Sequence, residues 1–190
     1  MTTTENTAPR NWAAWATVAW GVLFAIPSFV WATGNTFGAS STVSPGLVKM
    51  VRDGVTWFMV VLWTTAFLKL FGAALGALMT RPRSTRIGRF AMFCAGGAST
   101  LLAGHGLLFI VTGTLAQTHV ISLKTDLTGI TRWYLYLWGP YFVLGGVAFG
   151  LSTLWYLRHA PDRARIVRYA QVGVTGGLLL TLFSVLSGIG

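Results

Sequence analysis

An all-α membrane bundle of five transmembrane helices, forming a single integral membrane domain over residues 1–190, is predicted by three features of the sequence. Only 9% of the residues are charged and 54% are hydrophobic, whereas a water-facing domain devotes about 25% to charge. Five apolar stretches reach the roughly 20 residues that a helix needs to cross a hydrocarbon core with its backbone groups paired internally. The basic residues, 14 against 4 acidic, gather in linkers between those stretches and not in one continuous patch. That distribution argues for membrane topology and against nucleic-acid binding.

The first span runs from Trp12 to Trp31. Its length, its tryptophans and the lack of a small-residue cleavage site make it a retained helix, not a signal peptide. Asn35 to Pro45 is a Gly/Ser/Thr-rich loop, and Gly46 to Arg52 reads as a short amphipathic turn on the interface. The second span, Val55 to Met79, leads into a linker with Arg81, Arg83, Arg86 and Arg89. The third, Phe90 to Thr112, leads into the polar loop Gln117 to Thr131. The fourth, Trp133 to Leu157, precedes Arg158, Arg163, Arg165 and Arg168, and the fifth runs from Tyr169 to Ile189. The opposite loops carry only Lys49, Arg52, Lys124 and Arg132. The positive-inside rule therefore puts the N-terminus and the Arg-rich linkers in the cytoplasm, as expected of a multi-pass plasma-membrane protein.

Lipid gives helices no hydrophobic reward for associating, so close packing needs small residues. Gly72 and Gly76, Gly96 and Gly97, Gly146 and Gly150, and Gly173 and Gly177 supply them. They predict a tight bundle and leave a homo-oligomer open. The linkers Thr85 to Phe90 and Ala164 to Tyr169 share an Arg-Ile-x-Arg-aromatic pattern. The likeness points to two related hairpins plus one extra helix, although Arg-rich inner loops are also expected from topology alone.

Cys94 is the single cysteine, and no CxxC or HExxH spacing occurs, so neither a metal nor another cofactor is expected. GxSxG is absent too, which leaves nucleophilic serine catalysis without support. Two ionisable residues lie inside the spans. Lys69 is expected to snorkel toward the cytoplasmic headgroups along its four-carbon stem. His105, between Gly104 and Gly106, is read as structural ahead of proton transfer, with room beside its ring for a ligand.

Aromatic residues crowd the outer half of the spans: Trp31, Trp57, Trp63, Trp133, Tyr134, Tyr136, Trp138 and Tyr141 among them. Tyr134, Trp138, Tyr141 and Phe142 follow helical spacing and share one face, which Pro140 is expected to bend. Each outer loop delivers one carboxylate to this end, Asp53 or Asp126. Tryptophan and tyrosine also anchor spans at headgroup level, which is the plain alternative. A carboxyl walled in by apolar groups stays protonated and can act as a general acid, and ring faces stabilise a nearby cation by about 0.5–2 kcal/mol each.

The stretch from Ala14-Trp15-Ala16 through Trp31-Ala32-Thr33-Gly34, with the later Arg132 to Gly146 (RWYLYLWGPYFVLGG), resembles an uncharacterised family of small actinobacterial multi-pass membrane proteins. That resemblance implies location and no activity. In size, helix-only build and the Asp-plus-aromatic constellation, the chain also resembles integral-membrane terpene cyclases of indole and diketopiperazine terpenoid pathways. The second resemblance implies acid-initiated cyclisation of a lipophilic prenylated small molecule or its epoxide. Asp53 and Asp126 would then act as the acid or its hydrogen-bond partner. Trp31, Trp57, Trp63, His105, Trp133, Tyr134, Trp138 and Tyr141 would bind the substrate and steady the cation. The competing expectation is a non-catalytic lipid-binding or accessory membrane subunit.

Overall fold

Asn11 shows how the first helix is set in place. In the computed structural model, which describes residues 11–82, 86–122 and 129–187, it is the N-cap of α1 (Trp12–Ala32). Its side-chain oxygen accepts from the Ala14 N–H at 3.2 Å, and its amide donates to the Met79 carbonyl at 3.0 Å, just past α4 (Thr56–Leu78). One buried carboxamide thus pairs an orphan donor at one helix start with an orphan acceptor at another helix end. Between α1 and α4 come α2 (Ala39–Thr42) and α3 (Pro45–Arg52). Pro45 suits the first turn of α3. Val48 and Val51 are buried, Val51 within a cluster with Ala32, Phe58 and Leu62, and Lys49 and Arg52 stay exposed.

α5 (Arg86–Gln117) spans 32 residues, about 48 Å of helix. The next span comprises α6 (Thr131–Trp133), a π-helical turn (Tyr134–Trp138) and α7 (Gly139–His159), and α8 (Arg163–Ser187) follows. All regular structure among the described residues is helical, and five helical stretches are long and apolar enough to cross a membrane. α5 outruns the predicted 90–112 at both ends, and α8 starts before Tyr169. Hydropathy marks the part that sits in hydrocarbon, whereas a helix continues until its backbone is stopped. Pro82 and Pro161 lie in the linkers that separate these helices.

The principal contacts run α4 to α1, α1 to α7, α7 to α5 and α5 to α8. Neither predicted hairpin packs mainly on itself, because α4 turns to α1 while α5 is clasped by α7 and α8. At the Arg-rich end the spans share a core of Ala14, Leu75, Met92, Phe149, Tyr156 and Ile166.

Glycine permits these approaches. A Cβ on Gly76 would meet the Val18 nitrogen at 2.9 Å, and one on Gly21 would meet the Ala73 nitrogen at 2.9 Å, so α1 and α4 touch backbone to backbone. A Cβ on Gly96 would lie 2.6 Å from the Ala170 carbonyl oxygen, and one on Gly173 would collide with the Phe93 carbonyl. Gly176, on the same helix, faces open space. Gly173→Ala is therefore expected to cost about 1–3 kcal/mol in micellar unfolding, because a backbone carbonyl cannot move aside like a flexible side chain. Gly176→Ala should leave the unfolding midpoint unchanged or slightly raised, since helix propensity favours Ala.

Candidate functional site

The stripe of rings on the fourth span is aimed by a break in helical regularity. Pro140 has no N–H to offer the preceding turn. There the chain widens, and the Gly139 N–H bonds to the Tyr134 carbonyl five residues back. A Cβ on Gly139 would lie 2.7 Å from Ile110 and 3.0 Å from the Tyr134 oxygen, so this wide turn fits against α5 only with glycine. Such π turns shift the register of side chains downstream.

Tyr134, Trp138, Tyr141 and Phe142 all turn into the bundle. Tyr134 meets Phe109 with ring centroids 4.8 Å apart, and Trp138 meets Phe24 and Trp31, each at 6.3 Å. Phe142 lies 5.0 Å from Phe24 and 4.9 Å from His105. Tyr141 lies 5.2 Å from Phe24 and stacks on Trp20 at 5.7 Å. Two reciprocal hydrogen bonds fix the last pair: the Trp20 indole donates to the Tyr141 carbonyl at 2.9 Å, and the Tyr141 hydroxyl donates to the Trp20 carbonyl at 3.2 Å. Gly145 makes room for the indole, since a Cβ there would collide with it.

Lys69 adjoins this cluster. Its ammonium sits 3.8 Å from the centroid of the Phe24 ring and donates to the hydroxyl of Ser28, which is buried. Expected snorkelling toward the Arg-rich end does not occur. Side chains lean toward the N-terminus of their own helix, and the N-terminus of α4 lies at the opposite end of the bundle. The stem accordingly runs up α1 past Phe24 to Ser28. Among the described residues the carboxylates are Asp53 and Asp162. Both lie at helix ends, Asp53 paired with Lys49 and Asp162 lying 3.6 Å from Arg165.

Asp53 corrects the expectation of a dry acid. It follows α3 directly, its side chain is 49% exposed, and the pair with Lys49 lies one helical turn apart on the surface. The neighbouring cleft is lined by Ser40, Pro45, Val48, Lys49 and Arg52, with no aromatic ring among the described residues. Trp57 lies 5.6 Å from Phe58 and is 60% exposed, pointing away from the ring cluster. Trp63 and Trp133 are also exposed; Trp63 forms an outward group with Phe29 and Phe67. Asp126 lies outside the described residues.

Of the other predicted site residues, Trp31, His105, Tyr134, Trp138 and Tyr141 belong to one connected ring network. The indoles of Trp31 and Trp138 also donate to the carbonyls of Phe37 and Thr42, pinning the α2 loop over the cluster. Sequence reasoning missed Trp20, Phe24 and Ser28 in α1. Their spacing of four residues put them on one helical face, and Ser28 was the polar signal on it.

The family described as "Protein of unknown function (DUF3995)" matches residues 21–149. The chain belongs to that family. It is an uncharacterised family, as the first resemblance implied, and the match runs from α1 into α7. Phe24, Ser28, Lys69, His105 and the π turn lie inside it; α8 lies beyond it. No curated protein and no solved structure matches the chain.

Tyr141→Phe keeps the ring and removes one of the two ties between α1 and α7. The expected loss is about 0.6 kcal/mol and at most about 1.7 kcal/mol, the mean and maximum for hydrogen bonds between membrane helices by double-mutant cycles. Trp20→Phe removes the other tie together with part of the ring stacking. The double variant should lose less than the sum in micellar unfolding, because each bond holds the geometry of its partner.

Proposed function

We propose that the protein is a non-catalytic membrane module that binds a lipophilic molecule with a negatively charged head, held at Lys69 beside the ring cluster. The observation that carries this reading is the ammonium at Phe24 and Ser28, within a span and with no described carboxylate beside it. An ionised group in hydrocarbon costs several kcal/mol unless it is paired, and such residues mark functional sites. Ser28 and the Phe24 face each stabilise the cation, yet neither neutralises it. A bound carboxylate supplies the missing counter-charge, and the rings of Phe24, Trp138 and Phe142 supply an apolar wall for its chain.

The acid-initiated cyclase is a second reading, favoured by the inward ring stripe of Tyr134, Trp138, Tyr141 and Phe142. With Asp53 solvated and paired, that reading leaves Asp126 as its acid. It also has to place a carbocation near an ammonium that already occupies the Phe24 face, and like charges repel. For this reason the binding reading stands ahead of it.

Titration of the micellar protein with oleate and with oleyl alcohol, read by tryptophan emission, tests the binding reading. A charge-assisted contact should favour oleate by about 10- to 100-fold. Lys69→Met should abolish that preference, and Lys69→Arg should retain most of it. Equal affinities for the two ligands in the unaltered protein would overturn the reading. Conversion of an epoxy-farnesylated substrate, lost in Asp126→Asn, would establish the cyclase instead.

A further inference from the structure

A second cationic site lies at the Arg-rich end, between α5 and α8. A groove of about 510 Å³ is lined there by Arg86, Arg89, Arg168, Phe90, Tyr169 and residues one turn deeper. No carboxylate among the described residues lines it, and Asp162 at the start of α8 lies beside Arg165 instead. Arg89 is the telling member. Its guanidinium lies over the Tyr169 ring, 5.9 Å from the centroid, and its Nε is buried with no hydrogen-bond partner among the described residues.

A buried donor left unpaired is costly in a native protein and calls for an acceptor. A turn of the Arg89 side chain that brings this Nε–H out of its dry position, beside one terminal N–H, presents the side-on fork that takes two oxygens of a phosphate at once. Phe93 and Val172 lie a helical turn farther from the linkers, about 5 Å deeper, and both are exposed. Cations at headgroup level above an apolar, outward-facing floor match the two halves of a phospholipid.

We propose that this groove binds the phosphate headgroup of an anionic phospholipid, with Arg89 as the fork, Arg86 and Arg168 as flanking charges, and acyl chains along Phe93 and Val172. The site is independent of the Lys69 reading. It takes a two-chain lipid at the Arg-rich interface, whereas Lys69 lies within the spans, so either assignment can fail alone.

Native mass spectrometry of the full chain, released from micelles containing equal phosphatidylglycerol and phosphatidylcholine, tests the proposal. Phosphatidylglycerol should be retained about tenfold over phosphatidylcholine. Arg89→Gln combined with Arg168→Gln should erase that advantage, while Arg158→Gln combined with Arg163→Gln, an equal loss of charge outside the groove, should preserve it. Arg89→Lys keeps the charge and removes the fork; it should fall in between, and it carries the test if the double glutamine variant does not fold.

Equal retention of the two lipids would overturn the proposal, as would an equal effect of the control pair or full retention in Arg89→Lys. A third arm titrates inorganic phosphate. If phosphate alone bound with the same dependence on Arg89 and displaced phosphatidylglycerol, the site would be one for a free anion, and the lipid assignment would fall.

Discussion

Everything above the level of the single helix depends on how closely backbones can approach where lipid offers no reward for doing so. α5 is the clearest instance. One of its flanks lies against α8, where Gly96 and Gly97 face Ala170 and Gly173; another lies against the fourth span, where Gly106 approaches Gly139 and Ala103 approaches Gly146. At such distances dispersion and weak polar contacts between backbones accumulate. Hydroxyls add to them, Ser99 donating to the Gly146 carbonyl at 2.9 Å and Thr100 to the Val174 carbonyl at 3.2 Å. α5 still lends His105 and Phe109 to the ring cluster, but most of the large side chains accumulate elsewhere.

That bulk sits between α1 and α7. Trp20 and Phe24 fill the space opened by Gly145 and by the wide turn before Pro140, and their rings join those of Tyr141, Trp138 and Phe142. The small-residue seams and the aromatic seam are thus complementary. The seams set how close the helices come, and the rings set how far α1 stands from α7. The placement of Lys69 follows from both. α4 packs chiefly on α1, so a side chain leaning along α1 meets Phe24 and Ser28 and stays within the bundle.

The spans were legible because burial in hydrocarbon leaves a one-dimensional trace, an apolar run of set length, and Trp12 to Trp31 and Val55 to Met79 match α1 and α4 closely. The inward stripe from Tyr134 to Phe142 could be read as well, since its spacing is helical and the π turn displaces it by only one residue. Other features left no local trace. Which helix lies beside which is decided by glycine contacts between segments far apart in sequence, so the row from α4 through α1 and α7 to α5 and α8 was not foreseen. Asp53 looked like a site residue because its loop delivers it to the end where aromatics crowd, but the end of α3 turns it toward Lys49 and water. Lys69 was misread for a directional reason: snorkelling considers only the length of the stem, whereas the tilt of the Cα–Cβ bond toward the helix N-terminus decides which way the stem departs.

The two cationic sites obey different physics because they lie at different depths. Arg86, Arg89 and Arg168 stand near the linkers, where water and headgroups share the solvation and each guanidinium adds only about 1 kcal/mol of attraction for an anionic surface. Selectivity there comes from geometry: the Arg89 fork selects a phosphate, and the apolar floor of Phe93 and Val172 favours a phosphate that carries chains. Lys69 is a single point charge with three donors, one of them given to Ser28. Within a span the field of that charge is less screened than at the linkers, so charge itself discriminates against an uncharged head of the same shape. An ammonium bound by a ring face and one hydroxyl is stabilised well enough to stay in the bundle and incompletely enough to favour an anion. The same incompleteness makes the aromatic cluster a poorer host for a carbocation than its ring content suggests.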